Sequence, residues 1–384
     1  MDYVENHRFI IFCGHGPNAL GIIRSLHEKQ IAPVMIINKC GPTNYADCSR
    51  FVGAKHYVNS SEEAIEVLLN EYGDEKVPPF VFTTDDYHTE LLDSHYDRLL
   101  GHFYFFNCGE SKRLTSFLNK DLQCHVAEES GFVVPAHEVV HKGTLPQSLK
   151  YPVITKTISS NEGGWKKDVY LCNNEDELKD AYEHIVAENI LLEEYIPKKK
   201  EISIHGISVN GGQIVYVPFY TEDESFSSIS FGSCLRLRLL SDVDMLSKIT
   251  TFVQSIRFSG VFNMDFLESQ EGQLLFLEIN MRSGARNYAV TAGGANLPYL
   301  WAKTTVENGL QMDFPLKNSL FVVDEVSDFV EHKRNLKKWL SDIKQADVRL
   351  WYYKRDNAPI RFYVFNKIMN VFNKMLGIRK TGNK

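Results

Sequence analysis

Polar and apolar positions alternate through Val261–Glu268 and again through Leu274–Ile279, with Ser269-Gln-Glu-Gly-Gln273 between the two runs. Alternation with a period of two around a glycine-bearing break predicts a β-hairpin. With Glu271-Gly272 as a two-residue turn, Asp265 faces Glu278 and Asn263 faces Asn280. Successive side chains point to opposite faces of a strand, so Asn263, Asp265, Glu278, Asn280 and, further on, Arg282 share one face. The other face carries Phe262, Met264, Phe266, Leu277 and Ile279 and is expected to meet the core.

Near the N-terminus, Arg8-Phe-Ile-Ile-Phe-Cys13 reads as a strand that runs into Gly14-His-Gly-Pro-Asn-Ala-Leu-Gly21. Leu20, Ile23 and Leu26 follow at helical spacing, and Ala32–Ile37 is a second strand. With Pro79-Phe-Val-Phe-Thr83 and Asp85-Asp86 as a later strand end, this predicts a sheet of the Rossmann-like, βαβ type. The glycines lack the G-x-G-x-x-G spacing, and Asn38-Lys39 stands where an acid would end the second strand, which disfavours a dehydrogenase. Gly14 and Gly16 either bring backbone N–H groups to a small anion at a helix N-terminus or only make a tight turn. Ser116–Gly131 is helical in pattern, Tyr151–Lys156 is a strand, and Ser159–Gly164 is a turn-rich loop. Glu175–Glu188 is an amphipathic helix, followed by strands over Ile190–Ile196 and Glu201–Ile207. At the far end Phe362, Val364, Phe365, Ile368, Met369, Phe372, Met375 and Leu376 recur at helical spacing. Arg361, Lys367, Lys374, Arg379 and Lys380 lie among them, and no acid follows Asp356. That stretch is either a terminal helix docked on the core, the favoured reading, or an element resting on an anionic membrane or a lipid-linked acceptor.

Two carboxylates directly opposite one another repel unless a cation sits between them. Hard oxygen ligands without thiolate or imidazole suit Mg²⁺; the plainer alternative is a hairpin with a solvated polar face. Lys156, just before a glycine-bearing loop, is either a phosphate-binding cation or an exposed strand lysine. The 384 residues allow two or three domains, and 43% hydrophobic with 24% charged residues is ordinary for a globular protein. A net charge of −7 gives no basic field, so nucleic acid is excluded as a partner. Seven scattered cysteines without a C-x-x-C pair, and no leader-like N-terminus, point to reduced thiols and a cytoplasmic location.

In this order and at these spacings, residues 8–310 resemble the ATP-grasp superfamily. The resemblance implies two α+β subdomains clasping ATP behind an N-terminal Rossmann-like domain. Its expected divisions are residues 1–112, an ATP-grasp domain over 113–320 with a mobile lid about 150–197, and a C-terminal extension over 321–384. Carried over residue by residue, Lys120 and Lys156 match the lysines on the ATP phosphates, and Asn161–Lys167, with Glu162, Gly163 and Gly164, resembles the phosphate loop. Glu193, Glu194, Tyr195 and Ile196 match the adenine segment, and Glu201 the ribose acid. Asp265, Glu278 and Asn280 match the metal ligands, for two Mg²⁺ ions, and Arg282 the arginine at the acyl-phosphate centre. The run from Glu278 to Pro298 looks most like D-aspartate ligase and related cell-surface ligases. Two features depart from the pattern: the phosphate loop has two glycines beside Trp165, and Thr221–Ser230 is acidic and serine-rich, which points to a different acceptor.

The resemblance implies a carboxylate–amine ligase working through an acyl phosphate, with small-molecule carboxylate and amine substrates and a homodimer as the common assembly. Arg286 is expected to assist Arg282, and Arg236 and Arg238 either touch the γ-phosphate or donor or lie on an exposed strand face. No Cys or Ser nucleophile is needed, so Cys124 and His205 are read as core or solvated. Alternatives are an ATP-dependent carboxylase or carbamoyl-phosphate-type enzyme, and a nucleotide-binding module without catalysis.

Overall fold

The structure, a computed structural model, describes residues 3–12, 16–38, 45–159, 168–224, 232–310, 315–332 and 335–375. The chain opens with β1 (Phe9–Phe12), α1 (Gly16–His27), β2 (Val34–Asn38), β3 (Ala54–Val58), α2 (Ser61–Tyr72) and β4 (Phe80–Thr83). Then come α3 (Asp86–Ser94), α4 (Tyr96–Leu99), β5 (Tyr104–Phe105), α5 (Arg113–Ser116) and α6 (Lys120–Glu129). The strands form a parallel five-stranded sheet in the order β3-β2-β1-β4-β5, as the βαβ pattern predicts.

A second, antiparallel sheet is built from β6 (His137–His141), β7 (Val153–Thr157), β8 (Leu171–Cys172) and β9 (Asn189–Glu194), with α7 (Glu175–His184) against it. Val140, Val153, Leu178, Tyr182, Ile190 and Leu192 give this small sheet a core of its own. It begins at His137, before the expected lid boundary near residue 150, because β6 pairs along its whole length with β9, from His137↔Glu193 to His141↔Asn189.

The large sheet has seven strands in the order β14-β13-β10-β11-β12-β15-β16. It comprises β10 (Lys198–Val209), β11 (Ile214–Asp223), β12 (Cys234–Leu239), then, after α8 (Val243–Ser255), β13 (Gly260–Ser269) and β14 (Leu274–Asn280). The helices α9 (Asn287–Ala292) and α10 (Leu297–Glu307) follow, then β15 (Ser319–Val323), α11 (Glu325–Glu331), α12 (Leu336–Gln345), β16 (Val348–Arg349) and α13 (Ala358–Met375). A boundary at 320/321 therefore cuts through β15, which pairs with β12, and the last segment continues the large sheet rather than forming a separate extension.

One core joins the parallel sheet to the large one. Trp301 of α10 is 2% exposed and meets the rings of Phe82 at 5.3 Å and Phe106 at 4.9 Å, edge to face. Truncating a buried tryptophan of this kind costs about 3–5 kcal/mol. α13 docks one side through Ile360 and Tyr363, the latter 5.0 Å from the Tyr45 ring and 4.8 Å from Trp351. Its Val364, Phe365, Ile368 and Phe372 remain exposed. No described helix is long and apolar enough to cross a membrane.

Candidate active site

The hairpin of β13 and β14 carries the acids as expected but by a different route. Its connection is Gln270-Glu271-Gly272, with Gly272 at φ +83°, a conformation that favours glycine. Near the turn Phe266 pairs with Phe276, one position off the register a two-residue turn gives. A bulge between Asp265 and Phe266 absorbs Leu277 and restores Asp265↔Glu278 and Asn263↔Asn280. The correction concerns the core face: Phe276 is buried there at 0% exposure, while Leu277, the extra residue, is only half-buried.

Asp265 is 4% exposed and its Oδ1 accepts from Ser203 Oγ at 2.5 Å and from Asn263 Nδ2 at 3.2 Å. Asn280 Nδ2 donates to Asp265 Oδ2 at 3.0 Å, and Asn280 Oδ1 accepts from Arg282 Nη2 at 2.8 Å. Arg282 Nε also donates to Asp86 Oδ1, the first residue of α3, at 2.7 Å. Glu278 Oε2 lies 3.3 Å from Lys120 Nζ. Asn119 caps α6 by accepting from Leu122 N–H, so Lys120 is the first helical residue rather than a mid-helix one. Its own N–H, an orphan at a helix start, donates to Ile158 O just past β7 at 2.9 Å. Gln123 holds α6 on the edge strand, accepting from Ile279 N–H at 2.9 Å and donating to Ile279 O at 3.2 Å. A Cβ at Gly284 would stand 2.9 Å from Asn263 Oδ1, so the chain can cross this strand closely only with glycine there.

The charges are unequal in behaviour. Burial, and then Glu278 opposite, push the Asp265 carboxyl up to about 7. Burial also raises Glu278, but Lys120, Arg282 and Lys156 outweigh it and the net shift is downward. Lys156 donates to Glu193 Oε1 at 2.5 Å; burial lowers its pKa, Glu193 more than compensates, and the net shift is upward. Glu201, two residues before Ser203 on the same face of β10, accepts from Lys198 Nζ at 2.7 Å. In the segment Glu193–Ile196, Glu194 N–H donates to Ala136 O, the Glu194 carboxylate accepts from Ala136 N–H, and Tyr195 N–H donates to Pro152 O. Ile196 N–H makes no hydrogen bond among the described residues.

Directly paired residues share a sheet face, which decides the fate of the remaining candidates. Asp265, Ser203, Thr221 and Leu237 form one row, and Asn263, His205, Phe219 and Leu239 another on the same face. Arg286 reaches this face, with Nη1 3.3 Å from Thr221 Oγ1. Arg236 and Arg238 fall in the rows of Phe266 and Met264, on the opposite face. Arg236 is held by both Glu224 oxygens at 2.6 and 2.8 Å, and Arg238 by Glu222, so neither joins the cluster. Gly16 opens α1 and faces Trp351. Gly14, Glu162, Gly163 and Gly164, with Trp165 and 225–230, lie outside the described residues.

A family described as ATP-grasp in the biosynthetic pathway with Ter operon matches residues 187–329. The D-aspartate ligase of Enterococcus faecium is 24% identical over 425 aligned positions, covering 99% of this chain and 100% of that one. The chain has the ATP-grasp fold. The N5-carboxyaminoimidazole ribonucleotide synthase of Staphylococcus aureus is 29% identical over 147 residues, and the match spans 38% of each of the two chains. The L-amino acid ligase from Bacillus licheniformis has a similar fold, with a TM-score of 0.65 at 13% identity over 84% of this chain and 80% of that one. N5-carboxyaminoimidazole synthetase from Staphylococcus aureus complexed with ADP superposes with a TM-score of 0.61 at 18% identity, over 86% of each chain.

Several residues of the ATP-grasp cluster escape sequence reasoning. Asp86 is 196 positions from Arg282, and only its place at the end of a strand flags it. Ser203 lies in a strand that reads as plain β-pattern, and Thr221 opens a run that stands out only for its acids and serines. His205 is core, as expected, yet lies on the acid face: Nε2 is 3.2 Å from Thr221 Oγ1, and burial with Arg286 nearby depresses its pKa to about 3.

Proposed function

We propose that this ATP-grasp chain is an ATP-dependent carboxylate–amine ligase that forms an amide on an amino acid or a cell-surface precursor and releases ADP and phosphate. The observation that carries the reading is the continuous chain of polar contacts from Asp86 through Arg282 and Asn280 to Asp265 and Glu278, and on to Lys120, which joins the parallel sheet to the paired acids. A donor carboxylate oxygen attacks the γ-phosphorus, the bond to the β-phosphate oxygen breaks, and ADP leaves. An amine then attacks the acyl carbon, phosphate departs with the bonding pair, and the amine proton passes to solvent. Lys120 and Lys156 offset phosphate charge, and Arg282 with Arg286 orients the donor carboxylate and the acyl phosphate, a match between guanidinium and oxyanion geometry. Ile196 N–H is the donor open to adenine, and Glu201 the acceptor for ribose hydroxyls. The work is positioning and charge neutralisation.

Two opposed carboxylates on one face, Asp265 buried and Glu278 partly exposed, fit Mg²⁺, and Asp265, Glu278 and Asn280 would hold two such ions. Asn280 points its amide nitrogen at the acids, so it serves as a ligand only after its amide turns over and releases Arg282 Nη2. When bound, Mg²⁺ supplies neutralisation of the phosphate oxygens.

Full-length similarity to D-aspartate ligase supports an amino-acid donor. Similarity to N5-carboxyaminoimidazole ribonucleotide synthase favours a second reading, in which bicarbonate is the donor. Phosphate release measured with amino-acid carboxylates, amines and bicarbonate separates them. Release that requires both a carboxylate and an amine is expected. Release sustained by bicarbonate alone selects the second reading, and none with any donor removes both.

The outer side of α13, with Phe365, Ile368 and Phe372 exposed beside Arg361 and Lys367, supports peripheral contact with an anionic lipid surface. Cys48, Cys108, Cys124, Cys172 and Cys234 form no disulfide, which supports a reducing, cytoplasmic setting.

A further inference from the structure

On the opposite face of the large sheet from Asp265, β12, α11 and α12 bring Cys234, Asp328 and Asp342 together, all buried. One ligand atom from each lies within 4.8 Å of the others. Ligands at 2.0–2.3 Å around a tetrahedral ion stand roughly 3.4–3.8 Å apart, so little closure is needed. Asp328 Oδ1 is 3.6 Å from Cys234 Sγ and 2.9 Å from His332 Nδ1.

The hydrogen bonding of this cluster is short of protons. The Ser233 hydroxyl lies 3.0 Å from Asp328 Oδ1 and 2.7 Å from Glu331 Oε2, and its single proton serves only one of them. Asp328 is 0% exposed, and its Oδ2 has no hydrogen-bond partner. A fully buried carboxylate oxygen without a donor is costly, on the order of 1–3 kcal/mol or more for a charged group. Among the described residues Lys338 is the cation in contact with the cluster, and both oxygens of Asp342 already engage it.

We propose that Cys234, Asp328 and Asp342 form a structural binding site for a transition-metal dication of the Zn²⁺ type, with His332 orienting Asp328. A thiolate beside two carboxylates suits Zn²⁺ and Co²⁺ rather than Mg²⁺. The charges close: a dication with one thiolate and two carboxylates leaves one negative charge, which Lys338 offsets at Asp342. Binding expels the thiol proton of Cys234 to solvent, forms the metal–sulfur bond and supplies Asp328 Oδ2 with its missing partner. A cavity of about 490 Å³, lined in part by Cys234, Asp342, Lys338 and Ser341, provides the way in. The ion would tie α11 and α12 to β12, on the side of the sheet away from the nucleotide motif.

The test is a Co²⁺ titration of the full chain under reducing conditions with Mg²⁺ in excess, read by the thiolate-to-cobalt charge-transfer absorption. The expected result is a band that saturates at one equivalent, is absent in Cys234→Ser, and is accompanied by a higher melting temperature of the wild type. His332→Gln, at a half-buried position that folding tolerates, should weaken Co²⁺ binding by at least about tenfold. This second variant decides the matter if Cys234→Ser does not fold. A wild type without a thiolate band, a band undiminished in Cys234→Ser, or unchanged affinity in His332→Gln overturns the proposal and leaves Lys338 as the cluster's counter-ion.

Discussion

Arg282 Nε stands 2.7 Å from Asp86 Oδ1, which couples the start of α3, just past β4 of the parallel sheet, to the chain just beyond β14, the strand that carries Glu278. Both side chains are largely buried, at 20% and 16% exposure, so the pair is more than a surface contact. Asp86 holds the guanidinium on one edge while Asn280 takes the other. Asp86→Asn keeps the size and removes the charge. It should lower kcat/KM for the carboxylate donor by at least about tenfold, equivalent to about 1.4 kcal/mol. Wild-type kinetics in a folded variant would reduce the pair to a structural link.

Asp265→Ala and Glu278→Ala test the metal assignment. The two acids oppose each other on one face, and burial with that opposition raises Asp265. Removing Asp265 relieves repulsion in the protein without ions, so its melting temperature should not fall much. Turnover should fall far more than tenfold in each variant. A loss below that, under about 1.4 kcal/mol of barrier, would sink the Mg²⁺ role.

Lys156 is paired with Glu193, which is 5% exposed, and this changes what a single substitution reports. Lys156→Met strands a buried carboxylate, which costs about 3–5 kcal/mol. It should therefore both destabilise the small sheet and raise KM for ATP. In the double variant Lys156→Met with Glu193→Gln, stability should return while the KM defect persists. Normal KM for ATP in that double variant would show that Lys156 serves the fold alone.

The alternation of Val261–Glu268 and Leu274–Ile279 was enough to pair Asp265 with Glu278, but the assumed turn was wrong. A longer connection and the bulge at Leu277 compensate each other, and only the cost of burying Glu278 in the core demands that they do. The same alternation left Arg236 and Arg238 open between the donor and an exposed strand face. It tells which residues share a face within one strand, whereas the face they share with Asp265 depends on the β11–β12 register, Thr221↔Leu237, which no local pattern encodes. Asp86 and Ser203 belong to the site through contacts between distant segments, where a sequence window has no purchase. The β15 boundary failed for a related reason: chain polarity rises after Phe321, yet the strand there is the pairing partner of β12.

His205 makes a pH prediction with a definite sign. In the folded chain burial and Arg286 hold its pKa at about 3, while an unfolded histidine titrates near 6.5. Above pH 6.5 the imidazole is neutral in both states and contributes nothing to the slope. Between 6.5 and 3 the unfolded state binds the extra proton, so stability falls as pH falls, by about 1.4 kcal/mol per unit. Urea unfolding at pH 7.5 and 4.5 should show His205→Gln losing about 2.7 kcal/mol less than wild type across that interval. Equal losses would mean that the imidazole is protonated in the fold.

The two sides of α13 make different demands, and one truncation tests both. Ile360 and Tyr363 pack against the core near Tyr45 and Trp351, so a chain ending at Pro359 loses real contacts and should melt at a lower temperature. Phe365, at 58% exposure, Ile368 at 61% and Phe372 at 53% contribute nothing to that packing. Replacing these three by Ser therefore leaves the docked side intact and isolates the outer face. Full-length protein should sediment with anionic vesicles at low salt and release at high salt, because Arg361 and Lys367 attract the surface only within a Debye length of about 10 Å at 0.1 M. The triple Ser variant should stay in the supernatant with an unchanged melting temperature. If full-length protein ignores anionic vesicles, or if the triple variant binds them equally well, α13 is a packing element of the fold and the lipid contact is discarded.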